Sequence, residues 1–221
     1  MASVATCQAA RMEIAVVMFE GVTALDAVGP YEVLQRLPDA TVKFVGHEAG
    51  QVRTDNGFLG LGVDYGFNDV TSPDVVVVPG GIGTRALVND EVMLSWLRRV
   101  HAMTRYTTSV CTGSLLLAAA GLLNGVKATT HFSAVGLLEK YGAQPTSARV
   151  VAVGKIVTAA GVSSGIDMAL QLAEMLTDQT TAKALQLMIE YDPQPPHDAG
   201  ALHKVDAAVM ERAQELSRLR S

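Results

Sequence analysis

Residues 106–123 read YTTSVCTGSLLLAAAGLL, and the fold turns on how this stretch divides. Its first five residues are mostly β-branched or aromatic, the run after Gly113 is apolar on every side, and Cys111 stands at the junction. A strand buried on both faces reads as a short continuous run, not as an alternation. A helix apolar all round lies in the middle of a molecule. Gly113, two residues past the cysteine, permits a sharp strand-to-helix turn. Such an elbow projects a side chain above the carboxyl end of a parallel sheet. Free cysteine is also among the residues most often buried as simple packing, so an inert reading stands beside the reactive one.

Outward from the elbow the same rhythm continues. MEIAVVMF (12–19), TVKFVG (41–46) and DVVVVPGG (74–81) are further continuous runs that end in Gly, Pro or polar residues. Between the runs, ALDAVGPYEVLQRL and NDEVMLSWLRRVHAM carry apolar residues at helical spacing, the second with Asn89 as a candidate N-cap. The glycine-rich segment 51–67, with TDNG inside it, reads as a hairpin-like excursion. RVVAVGKIVTAAG (149–161) reads as two strands turning at Gly154 and Lys155, followed by a helix capped by Ser163 or Ser164 and another begun by Asp178. Parallel strands need crossovers, so the alternation predicts a single doubly wound, flavodoxin-like α/β domain over 12–200, its mostly parallel sheet covered by helices on both faces. Residues 1–11 are expected to be a flexible leader. Residues 201–221, with Val205, Val209, Leu216 and Leu219 on one face, are expected to be an amphipathic helix packed on the domain or on a partner copy.

Composition narrows the function. A chain of 221 residues with 49% apolar and 18% charged residues buries a full core without a staple. The net charge of −5 and the scattered Lys and Arg give no basic stripe, which argues against nucleic acid as a partner. Two cysteines, Cys7 and Cys111, make no disulfide framework. The leader lacks the pattern of a signal peptide, and no run reaches the roughly 18 apolar residues of a membrane span. A soluble cytoplasmic protein with no membrane association is the expectation.

Ligands of open parallel sheets sit at the carboxyl ends of the strands, and the candidate residues fall there. PGGIGTRA (79–86) loosely fits a dinucleotide-binding pattern, but the next strand ends in TTSVC with no carboxylate for a ribose. Gly80, Gly81 and Gly83 are expected instead to bring backbone N–H groups to a reacting atom. Cys111 at a helix N-terminus is expected to have its pKa lowered toward neutrality. A nucleophile needs a proton-handling partner. His131, in ATTHFSA, is the one histidine placed to share its face; Asp26, just past the first strand, is the carboxylate candidate.

SVCTGSLLLAAAGLLNGVKATTHF, DVVVVPGG, ALDAVGPYEVL and AAGVSSGIDMALQLAEML together resemble the ThiJ/PfpI superfamily from residue 12 to about 190. Asp26, the Cys111–Thr112 pair and IEYDPQPPHDAG are most similar to its isonitrile (isocyanide) hydratase branch. The resemblance implies Cys111 as nucleophile, Asp26 as its hydrogen-bonded carboxylate and Thr112 as the following residue of the hydratases. It implies Val162 as an aliphatic residue near the thiol; Gly80, Gly81, Val162 and His131 are expected to face substrate. Thr112 stands where the peptidase members carry histidine, which argues against peptidase activity.

The implied reaction hydrates a small apolar isonitrile to an N-substituted formamide through a Cys111 thioimidate, with no metal or organic cofactor, in a homodimer. Two other readings remain open. One is a redox-sensing or glyoxal-handling relative, and the other is a non-enzymatic ligand-binding regulatory domain.

Overall fold

The structure is a computed structural model that describes residues 11–218. Four apolar runs become the centre of a seven-stranded sheet: β1 (Met12–Val17), β2 (Ala40–Gly46), β6 (Val75–Val78) and β7 (Tyr106–Val110). The segment 51–67 forms a separate hairpin of β3 (Gly50–Arg53) and β4 (Gly60–Val63), then returns to the main sheet as β5 (Tyr65–Gly66) beside β2. A short parallel pair, β8 (Lys127–Ala128) and β9 (Gln144–Pro145), stands apart. The far edge is β10 (Val150–Val153) and β11 (Ile156–Ala159), turning at Gly154 and Lys155.

The order across the main sheet is β10-β11-β7-β6-β1-β2-β5. Every neighbouring pair is parallel except β10 with β11. This is the doubly wound order, with β1 internal and the order reversing between β1 and β6. Ligands sit in the crevice at such a reversal.

The helices are α1 (Ala24–Leu34), α2 (Thr84–Leu87), α3 (Glu91–Met103), α4 (Gly113–Ala119), α5 (Val135–Lys140), α6 (Ser164–Leu176) and α7 (Gln179–Met188). α1 packs along α6, and α3 and α4 pack together. The continuous runs read as they do because both sides are covered: Ile14 to Val17 and Val75 to Val78 are wholly buried.

The caps differ in detail from expectation. Asp90, not Asn89, caps α3, its Oδ1 accepting the Met93 N–H at 2.9 Å. Ser163 precedes α6 but makes no capping bond; its Oγ accepts from Arg149 at 3.2 Å. Asp178 caps α7 as expected, accepting the Thr181 N–H at 2.9 Å.

By its contacts the chain divides after Ile189, ahead of the proline-rich stretch 192–200. The second unit, from Glu190, holds a 3-10 turn at Leu202–Lys204 and α8 (Ala207–Arg218), whose first turn is held by Asp206 Oδ1 accepting the Val209 N–H at 3.0 Å. Cys7, most of the expected leader, and Leu219 lie outside the described residues.

Candidate active site

Cys111 occupies the turn between β7 and α4 with φ at 57°. A non-glycine residue rarely holds that conformation, which persists only where its surroundings over-determine it. Its N–H is shared between the carbonyls of Ala159 (3.1 Å) and Ala160 (2.8 Å) at the end of β11. Its own carbonyl accepts from the hydroxyls of Ser114 (3.1 Å) and Thr130 (3.0 Å), both buried. Gly113 makes the elbow possible, because a Cβ there would collide with the Val78 carbonyl oxygen at the end of β6.

Asp26 lies in the first turn of α1 and is wholly buried. The helix start is tied to the loop after β6, since Thr23 N–H donates to the Gly80 carbonyl at 2.9 Å. Gly80 answers with its own N–H, which donates to Asp26 Oδ2 at 2.9 Å. Asp26 Oδ1 makes no hydrogen bond to nitrogen or oxygen. The carboxyl meets the Cys111 thiol, which donates to it.

Burial pushes the Asp26 carboxyl up to about 7, against the opposing hydrogen bonds from Gly80 and Cys111, and the negative charge of Asp55 pushes the same way as burial. Burial and the Asp26 carboxylate push the Cys111 thiol up to about 12, although the Val162 and Thr112 N–H groups donate to the sulfur. The expected lowering toward neutrality is therefore reversed. α4 is only seven residues long, and the helix-end field it offers falls short of the desolvation of a thiolate. Burial thus favours the neutral thiol and the protonated carboxyl alike, and the protons belong to the pair.

Of the other expected residues Thr112, Gly80, Gly81 and Val162 gather here in altered roles, whereas Gly83 stays away from the thiol, its N–H donating to the Gly21 carbonyl at 3.1 Å. Thr112 Oγ1 accepts the Gly81 N–H at 3.0 Å. The Gly80 and Gly81 N–H groups are thus committed to Asp26 and Thr112, and the donors aimed at the thiol are those of Thr112 and Val162. Val162 holds φ at 26°, a strained value for a β-branched residue. His131 stands further out. Its ring packs over Gly161 beside Val162, its Nδ1 lies 2.7 Å from Ser133 Oγ, and burial lowers its pKa. Among the described residues no group of three or more His, Cys, Asp or Glu could hold a metal ion. No helix among them is long and apolar enough to cross a membrane.

The profile of the DJ-1/PfpI family matches residues 12–175. The chain belongs to the DJ-1/PfpI family. Among its relatives, an isonitrile hydratase of Pseudomonas putida is 43% identical, over 92% of this chain and 89% of that one. A ThiJ/PfpI family protein from Pseudomonas syringae superposes with a TM-score of 0.89 at 39% identity, covering 94% of this chain and 86% of that one. Drosophila melanogaster DJ-1beta shares the fold at 22% identity, with a TM-score of 0.75 over 82% of this chain and 98% of that one.

On this DJ-1/PfpI scaffold three neighbours of the thiol–carboxyl pair escape a reading of the sequence. Thr130 and Ser114 grip a backbone carbonyl, a contact with no residue-type signature. Asp55 reaches the pair from the hairpin turn, its Oδ2 accepting from Thr23 Oγ1 at 3.0 Å. The TDNG motif, otherwise read as a turn, was the available hint.

Proposed function

We propose that the protein is an isonitrile hydratase, converting R–N≡C and water to R–NH–CHO. The observation that carries this reading is the buried thiol–carboxyl pair of Cys111 and Asp26, in a chain 43% identical to an isonitrile hydratase.

Asp26 with a carboxyl near 7 is suited to take and return protons at neutral pH. As Sγ of Cys111 attacks the terminal carbon of the isonitrile, its proton passes to the Asp26 carboxylate. The Thr112 and Val162 N–H groups stabilise the charge that develops on sulfur meanwhile. Asp26 then delivers the proton to the former isonitrile carbon, leaving the thioimidate Cys–S–CH=N–R. Water adds to that carbon and yields a proton to Asp26. Asp26 passes that proton to the nitrogen, then takes the hydroxyl proton as the carbon–sulfur bond breaks and returns it to the sulfur, so that formamide and thiol are released. No atom or electron beyond those of water and substrate is needed.

Thr112 acts from its Oγ1 bond to Gly81, which fixes the start of α4, and Gly80 acts by holding Asp26. Val162 and His131, at one side of the thiol, face the R group on this reading. The working form is taken to be a cytoplasmic homodimer, which light scattering on the purified protein tests.

The assay is direct. Purified protein mixed with cyclohexyl isonitrile should release N-cyclohexylformamide catalytically, and Cys111→Ala should abolish it. Absence of formamide with active-site thiol intact would remove the hydratase reading.

A further inference from the structure

The Cys111 carbonyl and the Thr112 N–H belong to one peptide group, and a peptide group is planar. What grips the oxygen on one side therefore sets the direction of the N–H on the other. Here the N–H donates to the Cys111 sulfur, while the oxygen accepts from two buried hydroxyls. Ser114 Oγ is local, in the first turn of α4, at 3.1 Å. Thr130 Oγ1 comes from 19 residues further along the chain, at 3.0 Å.

Thr130 is itself held in place. Its neighbour Thr129 donates its N–H to Thr158 Oγ1 at 2.9 Å, in β11. The same strand ends at the carbonyls of Ala159 and Ala160, which accept the Cys111 N–H. Both ends of the Cys111 backbone are thus referred to one strand, its nitrogen directly and its carbonyl through Thr129 and Thr130.

We infer that Thr130 is a positioning residue for the nucleophile: by holding the Cys111 carbonyl it fixes the tilt of the 111–112 peptide and so aims the Thr112 N–H at the reacting sulfur. The inference rests on Cys111 being the nucleophile, and it assigns Thr130 no contact with substrate. A hydroxyl at this position is what matters, not its methyl group. The left-handed backbone of Cys111 makes the grip necessary, because φ at 57° is not a conformation that a non-glycine residue keeps unaided.

The test compares Thr130→Val, which keeps the shape and removes the donor, with Thr130→Ser, which keeps the donor. The readouts are the rate of Cys111 alkylation across an alkaline pH series, and kcat and KM with cyclohexyl isonitrile. Thr130→Val should slow alkylation about fivefold, the factor one buried hydrogen bond commands, and move the thiol titration to higher pH. It should lower kcat at least as much with KM unchanged, and Thr130→Ser should restore both. Ser114→Ala, removing the second donor to the same oxygen, should move the titration in the same direction.

If Thr130→Val unfolds more easily yet alkylates with the wild-type rate and midpoint, the role is structural only and the inference falls. It falls equally if Thr130→Ser behaves as Thr130→Val does. Because alkylation needs no isonitrile, a thiol effect in protein that makes no formamide would sustain the inference while ending the hydratase reading.

Discussion

The N–H of Gly80 donates to Oδ2 of Asp26 over 2.9 Å, and a Cβ on Gly80 would stand at the same 2.9 Å from that oxygen and 2.6 Å from the Thr112 nitrogen. The loop after β6 thus presents bare backbone to the carboxyl, with no room for a side chain.

Gly80→Ala should accordingly displace Asp26 and the start of α4 together. We expect turnover to fall by about 10²-fold or more, the loss typical of a mispositioned general acid–base group, with a destabilisation of about 1–3 kcal/mol from overpacking. Steady-state kinetics beside a thermal melt separates the two. Near wild-type turnover would mean that the Gly80–Asp26 bond is dispensable.

Asp26→Asn should separate reactivity from catalysis. The carboxylate raises the Cys111 pKa, so its removal should let the thiol ionise at lower pH. Turnover should nonetheless fall by about 10²- to 10⁴-fold, because the amide cannot carry a proton. More thiolate with less formamide is the expected signature. A variant that keeps half its rate would move the proton-transfer role elsewhere.

The same substitution carries a sign for stability. Folding raises the Asp26 pKa from 3.8 to about 7, so the folded state binds more protons than the unfolded state between those values. Its contribution is fully present below the unfolded value and is lost as pH rises toward the folded one. Asp26→Asn should therefore be more stable than wild type above neutrality, by up to roughly 4 kcal/mol, with the advantage vanishing in acid. Denaturant titrations at several pH values check it. A variant less stable at every pH would contradict it.

Asp55→Asn removes a negative charge that pushes Asp26 up, while an amide oxygen can still accept from Thr23 Oγ1. The acidic limb of kcat/KM, where Asp26 must be ionised, should move to lower pH. Added salt should shrink the difference between variant and wild type, because Asp55 is exposed. A limb that moves up or stays fixed would sever Asp55 from the site.

His131→Ala bears on substrate and not on proton transfer. The ring is tied to Ser133 and rests on Gly161, and burial lowers its pKa. Its loss should alter KM across isonitriles of different bulk, with kcat falling well short of the about 10²-fold expected for a general acid. A kcat collapse at constant KM would make His131 the proton carrier instead.

The elbow and its carboxylate were legible because each is a local pattern. Cys111 sits between a strand run and a helix run, and Asp26 follows a run hydrophobic enough to lie centrally. The sign of the Cys111 pKa was not, because helix-end polarity is a local property while burial depends on what closes over the thiol from β11 and α6. Gly80, Gly81 and Gly83 were expected to bring N–H groups to a reacting atom, and nothing in the sequence signals where those groups go instead. Only the tertiary crossing reveals that Gly80 and Gly81 hold Asp26 and Thr112 and leave none of their N–H groups for the thiol. Thr130 was out of reach, since its partner is a backbone oxygen 19 residues away.

The shared N–H of Cys111, which closes on Ala159 and Ala160, has a consequence for the nascent chain. The carboxyl arrives after β1, the glycine loop after β6, the thiol after β7 and the closing carbonyls with β11, so the pair exists only once four distant strands lie side by side. Until then the cysteine is an ordinary exposed thiol, ionising at about 8.5 and open to any electrophile. Completion of the fold raises it to about 12 and encloses it. An unfinished chain therefore offers an open thiol, and the finished one holds it neutral and enclosed against the Asp26 carboxyl.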